Sequence, residues 1–249
     1  MAKQVQTQTG AASADPNPIT RWLTSAVVTR IVRPERLDKR RASDERSRRR
    51  PGHPHVVEYF HQVEDGYSHL AAQVLEALTR RFDIELVCHL VLGPQGKNSA
   101  EPDLLLRLSR TDAHQIASHY GLTFPEHRAA PSPSLVAQAT AILAGQDSAG
   151  FIRHASTVGN ALWTNDTKAM AEHATRHGQA TETEAQARLS AGTGRRKQLG
   201  HYSGAMFYYG REWYWGIDRL CHLEQRLSAL GLDRHPGQAP LTSRPAATA

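Results

Sequence analysis

The apolar positions of this chain change period several times, and each change marks an element. "HVVEYFHQ", residues 55–62, is dense in β-branched and aromatic residues and predicts a strand. The next run places Leu70, Ala71, Val74, Leu75 and Leu78 at helical spacing and ends on the arginines of "TRRF", which suits the negative end of a helix. "DIELVCHLVLG", residues 83–93, alternates, with Ile84, Leu86, Cys88, Leu90 and Leu92 on one face of a second strand. Strand, helix and strand with so short a return make a βαβ unit, parallel and with a right-handed crossover.

From residue 101 to 200 nearly everything is compatible with helix, in several short pieces: "LLLRLSRTDAHQIASHYGLTFP", "PSLVAQATAILAG", "AGFIRHASTVGNALW", "DTKAMAEHATRHG" and "TETEAQARLSAG". The pattern then reverts. "GAMFYYGREWYWG", residues 204–216, reads as an aromatic hairpin turning at Gly210 and Arg211. In "IDRLCHLEQRLSALGL" the stripe Ile217, Leu220, Leu223, Leu227 and Leu230 predicts a closing helix, with Gly231 as its C-cap. The expected organisation is a basic arm over 1–52, a βαβ part over 53–100, a helical insertion over 101–200, a hairpin and last helix over 201–232, and a disordered tail over 233–249.

Charge separates the arm from the rest. Of the formal +6 carried by 249 residues, the stretch Arg21–Arg50 holds eleven Lys/Arg against four Asp/Glu, a net of +7, leaving the remainder at about −1. Within the arm, Trp22, Leu23, Val27 and Ile31 fall near one face and residues 1–17 read as disordered. Such a segment is either a solvated helix or a contact for an acidic partner. The two cysteines, Cys88 and Cys221, form no C-x-x-C pair and read as small apolar residues. No apolar run is long enough to span a bilayer and the first residues lack the apolar centre of an export signal, so a cytoplasmic location is expected.

"YFHQVEDGYSHLAAQVLEAL", followed some 140 residues later by "GAMFYYGREWYWGIDRLCHLEQRL", resembles the DsbA-like branch of the thioredoxin superfamily, especially its 2-hydroxychromene-2-carboxylate isomerase and kappa-class glutathione transferase relatives. The resemblance implies an α/β chain with a thioredoxin-like fold and an inserted α-helical domain. In such proteins the first helix opens with a C-x-x-C pair or an S-P-Y-S type tetrad, where unpaired N–H groups and the helix dipole favour an anion. Here "DGYSHL" places Asp65 at the first position, Gly66 and Tyr67 in the middle and Ser68 at the fourth. Without either sulfur, dithiol exchange at this junction is excluded, since the thiolate is the attacking species.

The resemblance implies further contacts. The family's cis-proline position falls on Ala205, where a cis bond costs about 3 kcal/mol and a trans bond is expected. Asp218, between Gly216 and Arg219, matches the aspartate that meets the γ-glutamyl end of glutathione, and Lys97 and Asn98 fall where relatives place polar ligand contacts. Glutathione or a small organic substrate is thus the implied ligand, with isomerase, transferase or oxidoreductase activity, Ser68 as donor to the thiol, Asp65 as modulator and Tyr67 beside them. A homodimer is the implied assembly. The rival reading is a non-catalytic binding protein whose arm docks a partner.

Several residues keep a second reading. Asp65 before Gly66 is also an ordinary N-cap, and Ser68 could bond to it locally. His61, His69 and His89 lie near one strand end, but their spacing is not a recognised ligand set, so no metal is expected. His69 falls at a position that is aromatic in the relatives, so the resemblance implies a packing or stacking role for it. Trp163 and Trp215 read as structural.

Overall fold

The computed structural model describes residues 34–48, 54–94, 101–125 and 129–242. The chain divides into two units, residues 1–53 and 54–249. In the first, helix α1 spans Pro34–Arg48, and its described side chains are exposed or half-buried, as its almost wholly charged sequence requires. The apolar positions Trp22, Leu23, Val27 and Ile31 lie outside the described residues.

The second unit is built on a four-stranded sheet of order β2-β1-β3-β4. Strand β1 (Val56–His61) pairs in parallel with β2 (Glu85–Leu90), Tyr59 opposite Cys88, as the βαβ pattern demands. Strand β3 (Met206–Tyr209) runs antiparallel to β1, Tyr59 opposite Phe207, and forms a hairpin with β4 (Glu212–Trp215). Gly210 and Arg211 both have positive φ, 56° and 64°, the conformation a two-residue hairpin needs to match strand twist. Being central, β1 is buried on both faces: Val57 and Tyr59 join the main core, and Phe60 joins a smaller cluster with Val91 and Met206.

The helix after β1 is one apolar stripe but two helices, α2 (Gly66–Ala72) and α3 (Leu75–Arg81). At the break the N–H groups of Gln73 and Val74 reach the carbonyls of Leu70 and Ala71, a tighter turn, while the Gln73 amide brackets the backbone of Thr123, donating to its carbonyl at 2.8 Å and accepting its N–H at 3.1 Å. Leu70, Ala71, Val74, Leu75 and Leu78 remain buried across it.

The insertion holds α4 (Pro102–Ala117), α5 (Pro133–Ala144), α6 (Ser148–Trp163), α7 (Thr167–His177) and α8 (Glu182–Gln198). Most start on a cap visible in the sequence: Ser132, Asp147 and Asp166 each accept the N–H three residues on, and Thr181 with Glu184 forms a capping box. A 3₁₀ turn at Ile217–Arg219 leads into α9 (Leu220–Ala229), whose Leu220, Leu223 and Leu227 are fully buried.

The tail departs from expectation. Residues 233–242 are held in place, because the buried Arg81 guanidinium pairs with Glu224 at 2.8 Å and Asp233 at 3.3 Å and donates to the carbonyls of Gln238 and Ala239. Glu224 in turn accepts the Leu241 N–H at 3.0 Å. Composition alone read this segment as unstructured; the cation that organises it sits about 150 residues earlier, on α3.

Candidate functional site

The junction of β1 and α2 is where Asp65 stands. Its backbone is extended and its carboxylate accepts the Ser68 N–H at 3.0 Å, the geometry of an N-cap. The same oxygen, Oδ2, accepts the Ser68 hydroxyl at 2.9 Å. Unlike a surface cap, Asp65 is only 8% exposed. Burial pushes its carboxyl above the ordinary aspartate range, an effect offset in part by hydrogen bonds from Ser68, Ser109 and Tyr67.

Ser68 is fully buried and its hydroxyl is spent. It gives its one proton to Asp65 and accepts two backbone N–H groups, from Gln62 at 3.2 Å and Ala205 at 3.0 Å. One donor and two acceptor sites are all a hydroxyl has. The expected donor to a ligand sulfur is therefore engaged as a knot joining the end of β1, the start of α2 and the approach to β3. Gly204 permits this closure, since a Cβ there would run into the Gln62 side chain.

Ala205 carries the other half of the arrangement. Its preceding peptide is trans, its φ is +52°, and both of its backbone groups are used inside the protein: the N–H on Ser68 and the carbonyl accepting Gly216 N–H at 2.7 Å. A left-handed alanine costs about 1–2 kcal/mol. Both backbone groups of Ala205 are thus engaged inside the protein.

Tyr67 is half-buried and donates its hydroxyl to Asp112 at 2.6 Å, while burial and the Asp112, Asp65 and Asp218 carboxylates push its own ionisation up. Asp218 lies exposed in the 3₁₀ turn before α9 and accepts the Tyr120 hydroxyl at 2.9 Å. The structure thus gathers Asp65, Tyr67, Ser68, Ala205 and Asp218 about one junction. Lys97 and Asn98 lie outside the described residues.

Beneath the junction His61 and His69 are packed in neutral form. The Tyr59 hydroxyl donates to the Ser68 carbonyl at 3.0 Å, so the 2.9 Å contact with His61 is a bond from His61 Nδ1–H. Burial drives His61 down to about 3 and His69 to about 4. His69 meets Phe124 edge-on, the packing role expected of it. His89 turns to the other side, where it stacks on Phe60 and shares Glu58 with Arg195. Among the described residues no group of three His, Cys, Asp or Glu could hold a metal ion. Cys88 is buried and its thiol is pushed up by that burial.

A cleft of about 380 Å³ opens beside Asp65. Leu92, Pro94, Leu105, Leu106 and Trp215 supply its apolar wall, and Gln62, Glu64, Asp65, Tyr67, Ser109 and Ser203 its polar part. Most of these were not singled out in the sequence. Trp215 corrects the reading of it as structural: it is 50% exposed on the cleft wall, whereas Trp163 is buried as expected. Leu105, 46% exposed on a helix with a three-leucine run, is the kind of signal that marks such a wall.

No family model matches the chain, and no curated protein matches it. Among solved structures it is similar to a 2-hydroxychromene-2-carboxylate isomerase, with a TM-score of 0.50 and 20% identity over 71% of this chain and 96% of the other. It is also similar to a probable DsbA oxidoreductase from Streptomyces coelicolor, with a TM-score of 0.49 and 15% identity over 74% and 93% of the two chains. At such identity the likeness speaks of fold, and the fold statement rests on the first structure. The βαβ unit, the helical insertion and the ββα end, taken with that likeness, make this chain a thioredoxin-like α/β fold with an inserted helical domain.

Proposed function

We propose that the protein binds a small organic molecule with substantial apolar surface in the cleft beside Asp65, and that it works without thiol–disulfide exchange. The observation that carries this reading is the closed Asp65–Ser68–Ala205 knot, set where the resemblance implies a sulfur or a free serine, at the side of an open and largely apolar cleft. A volume of about 380 Å³ lies within the range of small-molecule sites. Glutathione, the ligand implied by the resemblance, is supported less: the Ser68 hydroxyl and the Ala205 backbone are both engaged inside the protein, and among the described candidates Asp218 stands exposed for it.

Calorimetric titration of the full chain with 2-phenylethanol, a neutral molecule of suitable size, tests the reading. Saturable binding that Leu106→Trp abolishes by filling the cleft is the expected result, with no dithiol exchange by the wild-type chain. Absence of binding overturns it. Reduced glutathione binding at millimolar concentration or below, lost in Asp218→Ala, would instead support the glutathione-dependent isomerase or transferase reading.

A further inference from the structure

We infer that the cleft selects an organic amine, an apolar and preferably aromatic body carrying a protonated nitrogen. The inference rests on the reading of the cleft as a ligand site and adds the charge of its occupant.

The charged groups among the described residues lining the cleft are Glu64 and Asp65, both acidic. Glu64 is half-buried, accepts the Gln62 side-chain N–H at 3.2 Å, and pairs with no cation among the described residues. Asp112 and Asp218 act with Asp65 on the Tyr67 hydroxyl, so the negative field at this corner of the cleft has more than one source. Low-dielectric walls of Leu92, Pro94, Leu105 and Leu106 weaken screening beside these carboxylates. A ligand carboxylate placed here meets repulsion; an ammonium meets a partner.

Trp215 supplies the second half of the recognition. Its indole is half exposed on the wall and is braced by His201, whose ring meets it edge-on at 5.8 Å. An indole face attracts a cation as well as an aromatic ring. Glu64 and Trp215 both line the cleft, so one ligand with an apolar body can meet a carboxylate and an indole there.

Three molecules sharing one body separate the claims: 2-phenylethylamine, 2-phenylethanol and phenylacetate, each titrated calorimetrically into the full chain at pH 7. The amine is expected to bind about ten-fold tighter than the alcohol, as one charge-assisted contact allows, and phenylacetate most weakly. Glu64→Gln is expected to remove the amine's advantage, and Trp215→Leu to weaken the amine more than the alcohol. If the alcohol binds while the amine binds no better, or phenylacetate binds tightest, charge selection is overturned and the cleft reading stands. If none of the three binds, both are overturned together.

Discussion

Asp65 and Asp147 do the same local work in different surroundings. Each precedes a helix, has an extended backbone, and accepts the N–H three residues on, at 3.0 Å for Asp65 and 2.7 Å for Asp147. Asp147 is exposed at the start of α6, and its cap bond stays within that helix. Asp65 is buried, and the residue it caps is itself bonded to two further backbone groups. The same chemistry is thus an interchangeable helix start at one site and the centre of a three-element junction at the other.

The largest effect that follows is at Ser68. Ser68→Ala removes one hydroxyl and leaves the Gln62 N–H, the Ala205 N–H and one bond of Asp65 without partners in a buried site. Each buried orphan costs about 1–3 kcal/mol, so a loss of roughly 3–5 kcal/mol is expected in urea unfolding. A loss under about 1 kcal/mol would show that water fills the site, and that the buried junction is no more than a cap. Asp65→Asn keeps one acceptor oxygen for Ser68 and removes a charge that burial disfavours, while its NH2 offers no acceptor to the other donors around it, so it should cost less than Ser68→Ala at neutral pH.

How much of this was legible in the sequence follows from how local each feature is. The cap at Asp65, the parallel βαβ unit and the hairpin at Gly210 and Arg211 all rest on short-range patterns, and the structure carries them. The saturation of Ser68 depends on Ala205, 137 residues away, and on an alanine with positive φ, which no local pattern announces. The ordering of 233–242 likewise depends on Arg81, and the break between α2 and α3 on Thr123. The cleft wall was missed because Leu105, Leu106 and Trp215 come from α4 and β4, and apolar residues in a helix or a strand read first as core.

The second effect uses pH to separate the buried region from the exposed one. His61 and His69 are neutral in the folded protein, at about 3 and about 4, whereas an unfolded histidine titrates near 6.5. The unfolded chain therefore binds more protons below pH 6.5, and stability present above that pH is lost as pH falls toward 4. Asp65 opposes this: its raised ionisation contributes stability that is present at low pH and lost as pH rises through its folded value. Between pH 6.5 and 5 the histidines dominate, because two buried imidazoles titrate there in the unfolded chain. Urea unfolding at pH 7 and pH 5 should show stability falling by up to about 4 kcal/mol, roughly 2 from each histidine at about 1.4 kcal/mol per unit, less what Asp65 returns. His69→Leu should flatten that slope; an unchanged slope would assign it to other groups.

The smallest effect closes the comparison from the other end. Asp147→Ala removes the exposed cap of α6 and one hydrogen bond to Gly150. A lost N-cap costs about 0.5–2 kcal/mol, and the exposed Asp147 side chain places this one in the lower half of that range. Asp147→Ser restores a capping oxygen of shorter reach and should recover most of the loss. If Asp147→Ala costs as much as Ser68→Ala, burial is not what distinguishes the two helix starts. If it costs about 1 kcal/mol or less while Ser68→Ala costs several, the difference measures the tertiary share of the junction: the binding of β1 and the approach to β3 through a single hydroxyl, over and above the start of a helix.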